Sequence, residues 1–325
     1  MISFIIIGQN ESWRLDKCLK AIHLQIEFNR LVEYELIYID SDSSDNSIEI
    51  AKDHQANKIF KISGSMNAAI ARNLAAKAAS GEVLFFMDGD IELKPFDLKI
   101  ILNADSRLKF SYVVGFLDDV NYTQDWKYVS QTPRSYKTVI NDQKVTTVGG
   151  GIFIIEKETW NHFKGMNVRL KRTQDRDLSL RMAKNGIKGI RKAEVFGLHH
   201  TIPYKDSKRM WEMIFNGSFN YKGLMIRRHL LNPSFFPKLI REEWTIIILI
   251  HSFGLMFFNP LYILFYFMAV LIKTRKQLLT KSAQVVSHRI LQDIIVFFSI
   301  LFFFPGRPKF ETDQIVFFLM IYIVI

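Results

Sequence analysis

The nine residues from Glu82 to Asp90 read Glu-Val-Leu-Phe-Phe-Met-Asp-Gly-Asp, and few folds accept such a run. Five consecutive apolar residues, Val83 to Met87, have the length of a β-strand buried on both faces. Turn chemistry follows at once, and the carboxylates Asp88 and Asp90 stand one residue apart where that strand would end. In an open α/β sheet, ligands bind beyond the carboxyl ends of the strands. Two acids spaced Asp-x-Asp around a glycine both reach one hard cation, which favours oxygen ligands. A solvated acidic turn has the same spelling, so the surrounding sequence has to decide.

Upstream, strand and helix patterns alternate. Ile2 to Ile7 reads as a buried strand that ends in the polar turn Gly8-Gln9-Asn10-Glu11, and Ser12 is placed to cap a helix to about His23. Tyr34 to Ile39 reads as a second strand, ending at the acidic turn Asp40 to Asp45, with a helix to about His54. Lys58 to Ile62 is a third strand, and an alanine-rich helix from Met66 to Ala79 closes at Ser80-Gly81. This alternation predicts an α/β fold with a parallel, doubly wound sheet. Right-handed crossovers would bring Asp40, Asp42, Asp88 and Asp90 to one edge. Asp45 is expected to serve as a helix cap.

Ordered motifs then accumulate: Ser-Phe-Ile-Ile-Ile-Gly-Gln-Asn-Glu ending at Glu11, Asp40-Ser-Asp42-Ser-Ser-Asp45, Ala71-Arg72-Asn73, and Ser80-Gly81-Glu82 ahead of Met87-Asp88-Gly89-Asp90. As a set they resemble the family-two glycosyltransferases, over roughly residues 2 to 200. The resemblance implies the GT-A fold, Rossmann-like with a mostly parallel sheet, and inversion at the anomeric carbon of a nucleotide-sugar donor. It assigns Asp90, helped by Asp88, to a divalent Mg2+ or Mn2+ ion. Asn10, Glu11, Asp40, Asp42, Arg72 and Asp88 would surround the nucleotide-sugar, expected to be a UDP-sugar. Ser41 departs from the second acid or glycine of many relatives. Acids do not bind phosphate directly, so a cation between carboxylate and diphosphate is physically required.

Downstream, a helix is expected from Pro95 to Leu108, a strand from Phe110 to Phe116, and an irregular polar stretch from Asp118 to Asn141, leaving open whether Trp126 and Tyr128 line an acceptor groove. Glycines leading into the strand at 152–155 allow close approach to the backbone, and Gly150, Gly151 and Gln174 are expected to border the acceptor. Inverting transfer needs a base within hydrogen-bond reach of the acceptor hydroxyl. Where relatives carry Glu-Asp this chain has Gln174-Asp175, and Asp175 is the expected base, with Asp177 anchoring the following helix. A last strand pair is expected over 187–195. In GT-A enzymes a histidine after it is sometimes a metal ligand. His199 and His200 cannot both face one way on an extended chain, and His200 is the expected one.

The formal net charge of +11 suggests nucleic acid until the charge is located. Lysines and arginines concentrate between Pro203 and Arg241, interleaved with Trp211, Ile214, Phe215 and Phe219, and the next 28 residues, 245–272, carry no formal charge. That pattern fits a membrane interface rather than nucleic acid. Cys18 is the sole cysteine, which excludes an internal disulfide and suits a reducing compartment. The expected organisation is a GT-A domain at 1–205, basic amphipathic interfacial helices at 206–243, and transmembrane segments at 244–272, 290–304 and 315–325. Asn259-Pro260 leaves open a re-entrant hairpin in place of one span. The basic run predicts a multi-pass or re-entrant protein of the cytoplasmic (inner) membrane with its catalytic domain in the cytoplasm.

The expected function is a membrane-anchored glycosyltransferase that adds one sugar to a lipid-linked or cell-surface glycan, since the Gln-x-x-Arg-Trp pattern of processive synthases is missing. Transfer onto polyprenyl phosphate, and an inactive membrane scaffold, are the alternatives.

Overall fold

The computed structural model describes residues 1–133, 141–145, 151–203, 207–278 and 284–317. The chain divides into two compact units, one of Met1–Arg169, Gln174–Pro203 and Arg307–Ile325, the other of Leu170–Thr173 and Tyr204–Gly306.

The first unit begins as a regular β/α alternation: β1 (Ile2–Gly8), α1 (Ser12–Phe28), β2 (Tyr34–Asp40), α2 (Ser47–Asp53), β3 (Lys58–Gly64), α3 (Ala68–Ala78) and β4 (Val83–Asp88). β1 pairs in parallel with β2 and β4, and β2 with β3. Both faces of this half-sheet are buried, as the unbroken apolar runs require. Phe4, Ile6, Phe85 and Met87 point into one core with Leu15, Leu19 and Ile22 of α1. Ile5, Ile7, Leu84 and Phe86 point into the other with Ala71, Ala75 and Ala76 of α3. The alanines let α3 lie close to the sheet, and Asn67 caps the helix by accepting from Ala69 and Ile70 N–H.

The unit continues with β5 (Ile91–Leu93), β6 (Tyr112–Tyr122), β7 (Tyr128–Pro133), β8 (Gln143–Val145), β9 (Ile152–Glu156), α4 (Lys157–His162), α5 (Gln174–Lys184) and β10 (Gly189–Thr201). The sheet is therefore mixed. β9 runs antiparallel between β4 and β6, β10 is parallel to β6, and β5 is antiparallel to β10. A strand buried on both faces reads as the same apolar run in either direction, which is why the expected mostly parallel sheet holds only for its first half.

Three local expectations change. The helix over 95–108 is one short 3-10 turn, Leu98–Ile100. Asp97 accepts from Lys99 N–H, and Asn103 accepts from Asp105 and Arg107 N–H, so polar side chains capture the backbone donors a helix needs. The stretch from Asp118 is a regular hairpin of β6 and β7 as far as Pro133. The strand pair at 187–195 is one long strand, β10.

An ion pair locks the start of the sheet. Lys58 Nζ lies 2.7 Å from Glu35 Oε2 and also donates to the Ala78 carbonyl and Ser80 hydroxyl. Glu35 Oε1 accepts from Ser3 Oγ and from the N–H groups of Ser80 and Gly81. Gly81 is needed there, because a Cβ would come within 2.6 Å of Ser3 Oγ. β4 is thus aimed by the same cluster that fixes β1, β2 and β3.

The second unit holds α6 (Ser207–Phe215), α7 (Asn220–His229), α8 (Phe236–Leu255), α9 (Ile263–Leu278) and α10 (Gln284–Phe302). The uncharged stretch 244–272 is broken at Asn259-Pro260, where Asn259 accepts from Leu261 N–H and restarts the chain. Leu249 of α8 packs with Tyr266 and Val270 of α9, and Lys273 donates to the Glu242 carbonyl, so the two helices fold back on each other. The stretch 290–304 falls largely in α10. Among the described residues only α10, with a mean hydropathy of 1.7 over its most apolar window, is long and apolar enough to cross a membrane. Of the third stretch, Ile315–Phe317 belong to strand β11 (Phe310–Phe317), antiparallel to β3 in the first unit, and 318–325 lie outside the described residues.

Part of the second unit is inverted in polarity. Glu243 bridges Lys222 and Arg289, and Arg289 reaches Asp293 and Thr245, both fully buried. Outward lie Phe257 and Phe258, 84% and 85% exposed, with Leu261, Phe298 and Phe302.

Removing Glu35 strands a buried Lys58 cation, so Glu35→Ala should lower unfolding stability by about 3–5 kcal/mol, read by urea titration of tryptophan fluorescence. Burial pushes the Glu35 carboxyl up, but hydrogen bonds from Lys58, Ser3 and Ser80 outweigh it and hold the group below its usual range. Its contribution is therefore complete above the unfolded-chain value, about 4.3, and is lost as pH falls through the depressed folded value. The gap between the parent and Glu35→Gln should narrow on acidification.

Candidate active site

The carboxyl ends of β1, β2 and β4 lie side by side, with Gly8 in register with Asp40 and Ile7 with Asp88. Strand alternation continues to the last residue of β4: Met87 faces α1, and Asp88 faces α3. There Arg72, one turn into α3 and buried, ion-pairs with Asp88 Oδ1. Arg72 also touches Met166 Sδ at 3.8 Å and lies over the Phe153 ring. Its Nε has no hydrogen-bond partner. A solvated surface cation is thereby excluded for this residue.

Gly151 supports Asp88 from β9's approach. Its carbonyl accepts from Asp88 N–H at 2.9 Å, and a Cβ on it would lie 2.7 Å from Asp88 Oδ2. The structure thus puts Gly151 against Asp88. Gly150, expected beside it, lies outside the described residues.

After the Gly89 turn, Asp90 points the other way. His199 Nε2 of β10 is 3.4 Å from Asp90 Oδ2, and Asp90 Oδ1 is buried with no hydrogen-bond partner. Burial opposes ionisation of Asp90, yet His199, and Arg14 through space, hold it below the normal carboxylate range. Glu11 approaches the same turn, since a Cβ on Gly89 would lie 3.3 Å from its Cγ. Its carboxyl is pushed up to about 8 by burial and by Asp90, with Arg14 opposing at 2.7 Å. Asp88 is raised by burial, with Arg72 opposing and Asp90 adding to the rise.

His200, the expected ligand, is turned away. Its Nε2 meets Glu92 and its Nδ1 meets Tyr122 Oη, each at 2.8 Å, and it packs edge-on to Trp13. Neighbours on a strand face opposite sides, and only the register of β10 decides which one meets Asp90. That register involves irregularities between Arg191 and Gly197 that no single-sequence pattern announces.

Asp40 is fully buried and accepts from Tyr38 Oη and Ser43 N–H. Asn10 accepts from Ser44 N–H and ties the β1 and β2 loops together. Asp42 lies further out and pairs with Lys61 at 2.8 Å. Asp45 accepts from Ser12 Oγ and from Ser47 N–H and Oγ. Its role is local capping, as expected.

Asp175 occupies the first turn of α5, after the buried Gln174. It lines a small apolar cavity with Phe153 and Met166, the residues that also flank Arg72, so both lie on the α3 side of the sheet. Asp177 anchors the helix as expected, pairing with Arg181 at 2.9 Å while Arg181 donates to the Phe163 and Gly165 carbonyls.

Arg14 and Trp126 were not foreseen as partners: the guanidinium sits 4.1 Å above the indole at the β6–β7 turn, with Trp13 edge-on beside it.

Among the described residues no three histidine, cysteine or carboxylate side chains form a closed metal cage. Mg2+-type ions need none, because one or two carboxylates plus substrate phosphates and water complete their shells. A buried Asp90 carboxylate with one oxygen partnerless and the other facing a histidine fits that demand.

The chain resembles solved structures at low identity. The mannosyltransferase PcManGT from Pyrobaculum calidifontis, in complex with GDP-Man and Mn2+, is 15% identical with a TM-score of 0.59, covering 93% of this chain and 87% of that one. GalNAc-T7 with UDP, GalNAc and Mn2+ is 17% identical with a TM-score of 0.49, covering 67% of this chain and 51% of that one, so this chain spans about half of its length. The likeness to PcManGT at that identity speaks for the fold alone. A search of curated proteins returns no match. The glycosyl transferase family 2 model matches residues 3–181, more than half of the chain and all of β2 to β9. With that match over a GT-A-like sheet whose acids gather at its strand ends, the chain belongs to glycosyl transferase family 2.

Proposed function

We propose that this glycosyltransferase moves one sugar from a nucleotide-sugar to an acceptor hydroxyl at a membrane, with a divalent cation on Asp90. The observation that carries the reading is the Asp90 carboxylate, buried with one oxygen partnerless and the other facing His199. Asp90 and His199 would hold Mg2+ or Mn2+, with Asp88 beside them. When bound, such an ion neutralises the diphosphate and stabilises it as it leaves. PcManGT, of the same general fold, was solved in complex with GDP-Man and Mn2+.

The protein's own groups account for the rest. Arg72 keeps Asp88 fixed and part of the acidic charge balanced. Asp40, held by Tyr38 and Ser43, offers a fixed acceptor for a base or ribose donor, and Asn10 holds the loop beside it. Asp175 takes the acceptor hydroxyl proton as the new glycosidic bond forms and the nucleoside diphosphate departs.

Membrane attachment follows from the second unit. The ionic cluster of Lys222, Glu243, Arg289 and Asp293 faces inward and Phe257, Phe258, Phe298 and Phe302 face outward, the reverse of a water-soluble bundle. A lipid-linked acceptor would be met there, and we place the catalytic unit on the cytoplasmic side because Lys205 to Arg241 is so basic.

Asp90→Ala should abolish metal-dependent donor binding measured by calorimetry, and an unchanged affinity in the presence of Mn2+ would sink the assignment. Asp175→Asn should retain donor binding and cut transfer by two to four orders of magnitude; near-normal turnover would assign the base elsewhere. Burying a phenylalanine contributes about 1.5–3 kcal/mol. The double change Phe257→Glu and Phe258→Glu should therefore weaken association with anionic vesicles roughly a hundredfold or more, seen as loss of flotation. Flotation equal to the parent's would refute the outward face as the attachment surface.

A further inference from the structure

We infer that Asp119 is a positioning residue that aims His199 at the cation held by Asp90, an inference that rests on the metal reading above. Asp119 belongs to β6 and His199 to the parallel neighbour β10, where the two residues are direct register partners. Partners on adjacent strands project from the same face of the sheet. Asp119 Oδ1 accordingly lies 2.8 Å from His199 Nδ1, while His199 Nε2 lies 3.4 Å from Asp90 Oδ2.

This order of groups has a chemical consequence. A carboxylate on Nδ1 accepts its proton, which selects the tautomer with the Nε2 lone pair free, and Nε2 is the nitrogen turned toward Asp90. Histidines that bind metals almost always donate their other ring N–H to a carboxylate, carbonyl or water. The same carboxylate fixes the ring plane and makes Nε2 more basic, so the ligand is oriented before the ion arrives.

The pairing depends on an irregularity in the strand. Extrapolated from Ile190 against Val113, His199 would stand opposite Tyr122; register shifts between Arg191 and Val195 and between Val195 and Gly197 bring it opposite Asp119 instead. Irregularities of this kind re-aim side chains next to active sites. The adjacent histidine shows what the other face of β10 does: His200 is held by Tyr122 and Glu92 and has both ring nitrogens occupied.

Manganese binding to the full chain, followed by the electron paramagnetic resonance of free Mn2+ in the presence of UDP or GDP, tests the inference without relying on turnover. Asp119→Ala should weaken Mn2+ binding roughly 10- to 100-fold, and Asp119→Asn, which keeps an acceptor oxygen without the charge, should fall between. Because Asp119 acts through His199, adding Asp119→Ala to His199→Ala should cause no further loss. Thermal unfolding of Asp119→Asn near the parent value separates this from a folding defect. Full Mn2+ affinity in Asp119→Ala overturns the positioning role alone, as does an equal loss in the presence and absence of His199. A parent protein that takes up no Mn2+ with either nucleotide overturns the metal reading and this inference together.

Discussion

The first unit is governed by the gathering of carboxylates that folding brings to one edge of a sheet. Glu11, Asp40 and Asp90 are largely out of water and Asp88 is half out, on three segments that are distant in sequence. Like charges at such separations repel, and burial multiplies the cost. The structure meets this unevenly. Arg72 is devoted to Asp88, Arg14 to Glu11, and Tyr38 with Ser43 to Asp40, whereas Asp90 meets His199 with one oxygen and leaves the other without a hydrogen-bond partner. Glu11 relieves the repulsion by holding its proton, its carboxyl pushed to about 8. A divalent cation completes the balance by attracting all of these groups at once, and a diphosphate donor could not approach them without one.

The surrounding architecture exists to hold those acids in place. Asp88 is clamped from below by its N–H to the Gly151 carbonyl and from the side by Arg72, whose own position follows from the Asn67 cap. Asn73, next along α3, bonds both N–H and carbonyl of Met166, the residue against Arg72. The alanine and glycine content of these motifs is thus a matter of approach distance. α3 lies low on the sheet, Gly81 passes over Ser3, and Gly151 passes over Asp88, each where a larger side chain would separate the acids from their supports.

Much of this was legible in the residues alone, and the boundary of what was legible is physical. The run from Val83 to Asp90, the capped alanine helix and the acidic turn after β2 are local signals, with hydrophobic period, cap and turn all agreeing, and each became the element expected. The antiparallel insertion of β9 was not legible, because a doubly buried strand carries no mark of direction. The helix expected at 95–108 failed where Asp97 and Asn103 compete for backbone donors. The uncharged run after Thr245 was read as one span or a hairpin; Asn259-Pro260 divides it into two packed helices. His199 and His200 differ by one position and by everything that matters, since one meets Asp90 and the other Tyr122, and only a long-range register separates them.

That register explains why the site is assembled from both halves of the sheet. The parallel half supplies Asp40, Asp88 and the turn to Asp90, all at strand ends where the chain leaves the core. The mixed half supplies His199 from within a strand whose backbone is tied on both sides, to β6 and to β5. A ligand on a loop tip pays ordering entropy each time an ion binds, whereas one held between two strands does not. The backbone hydrogen bond from His200 N–H to the Asp90 carbonyl, 2.9 Å long, stitches the loop to the strand beside the Asp90–His199 pair. The Asp-Gly-Asp turn is thereby held against the sheet from several strands, and the acid at its end is positioned by the fold itself.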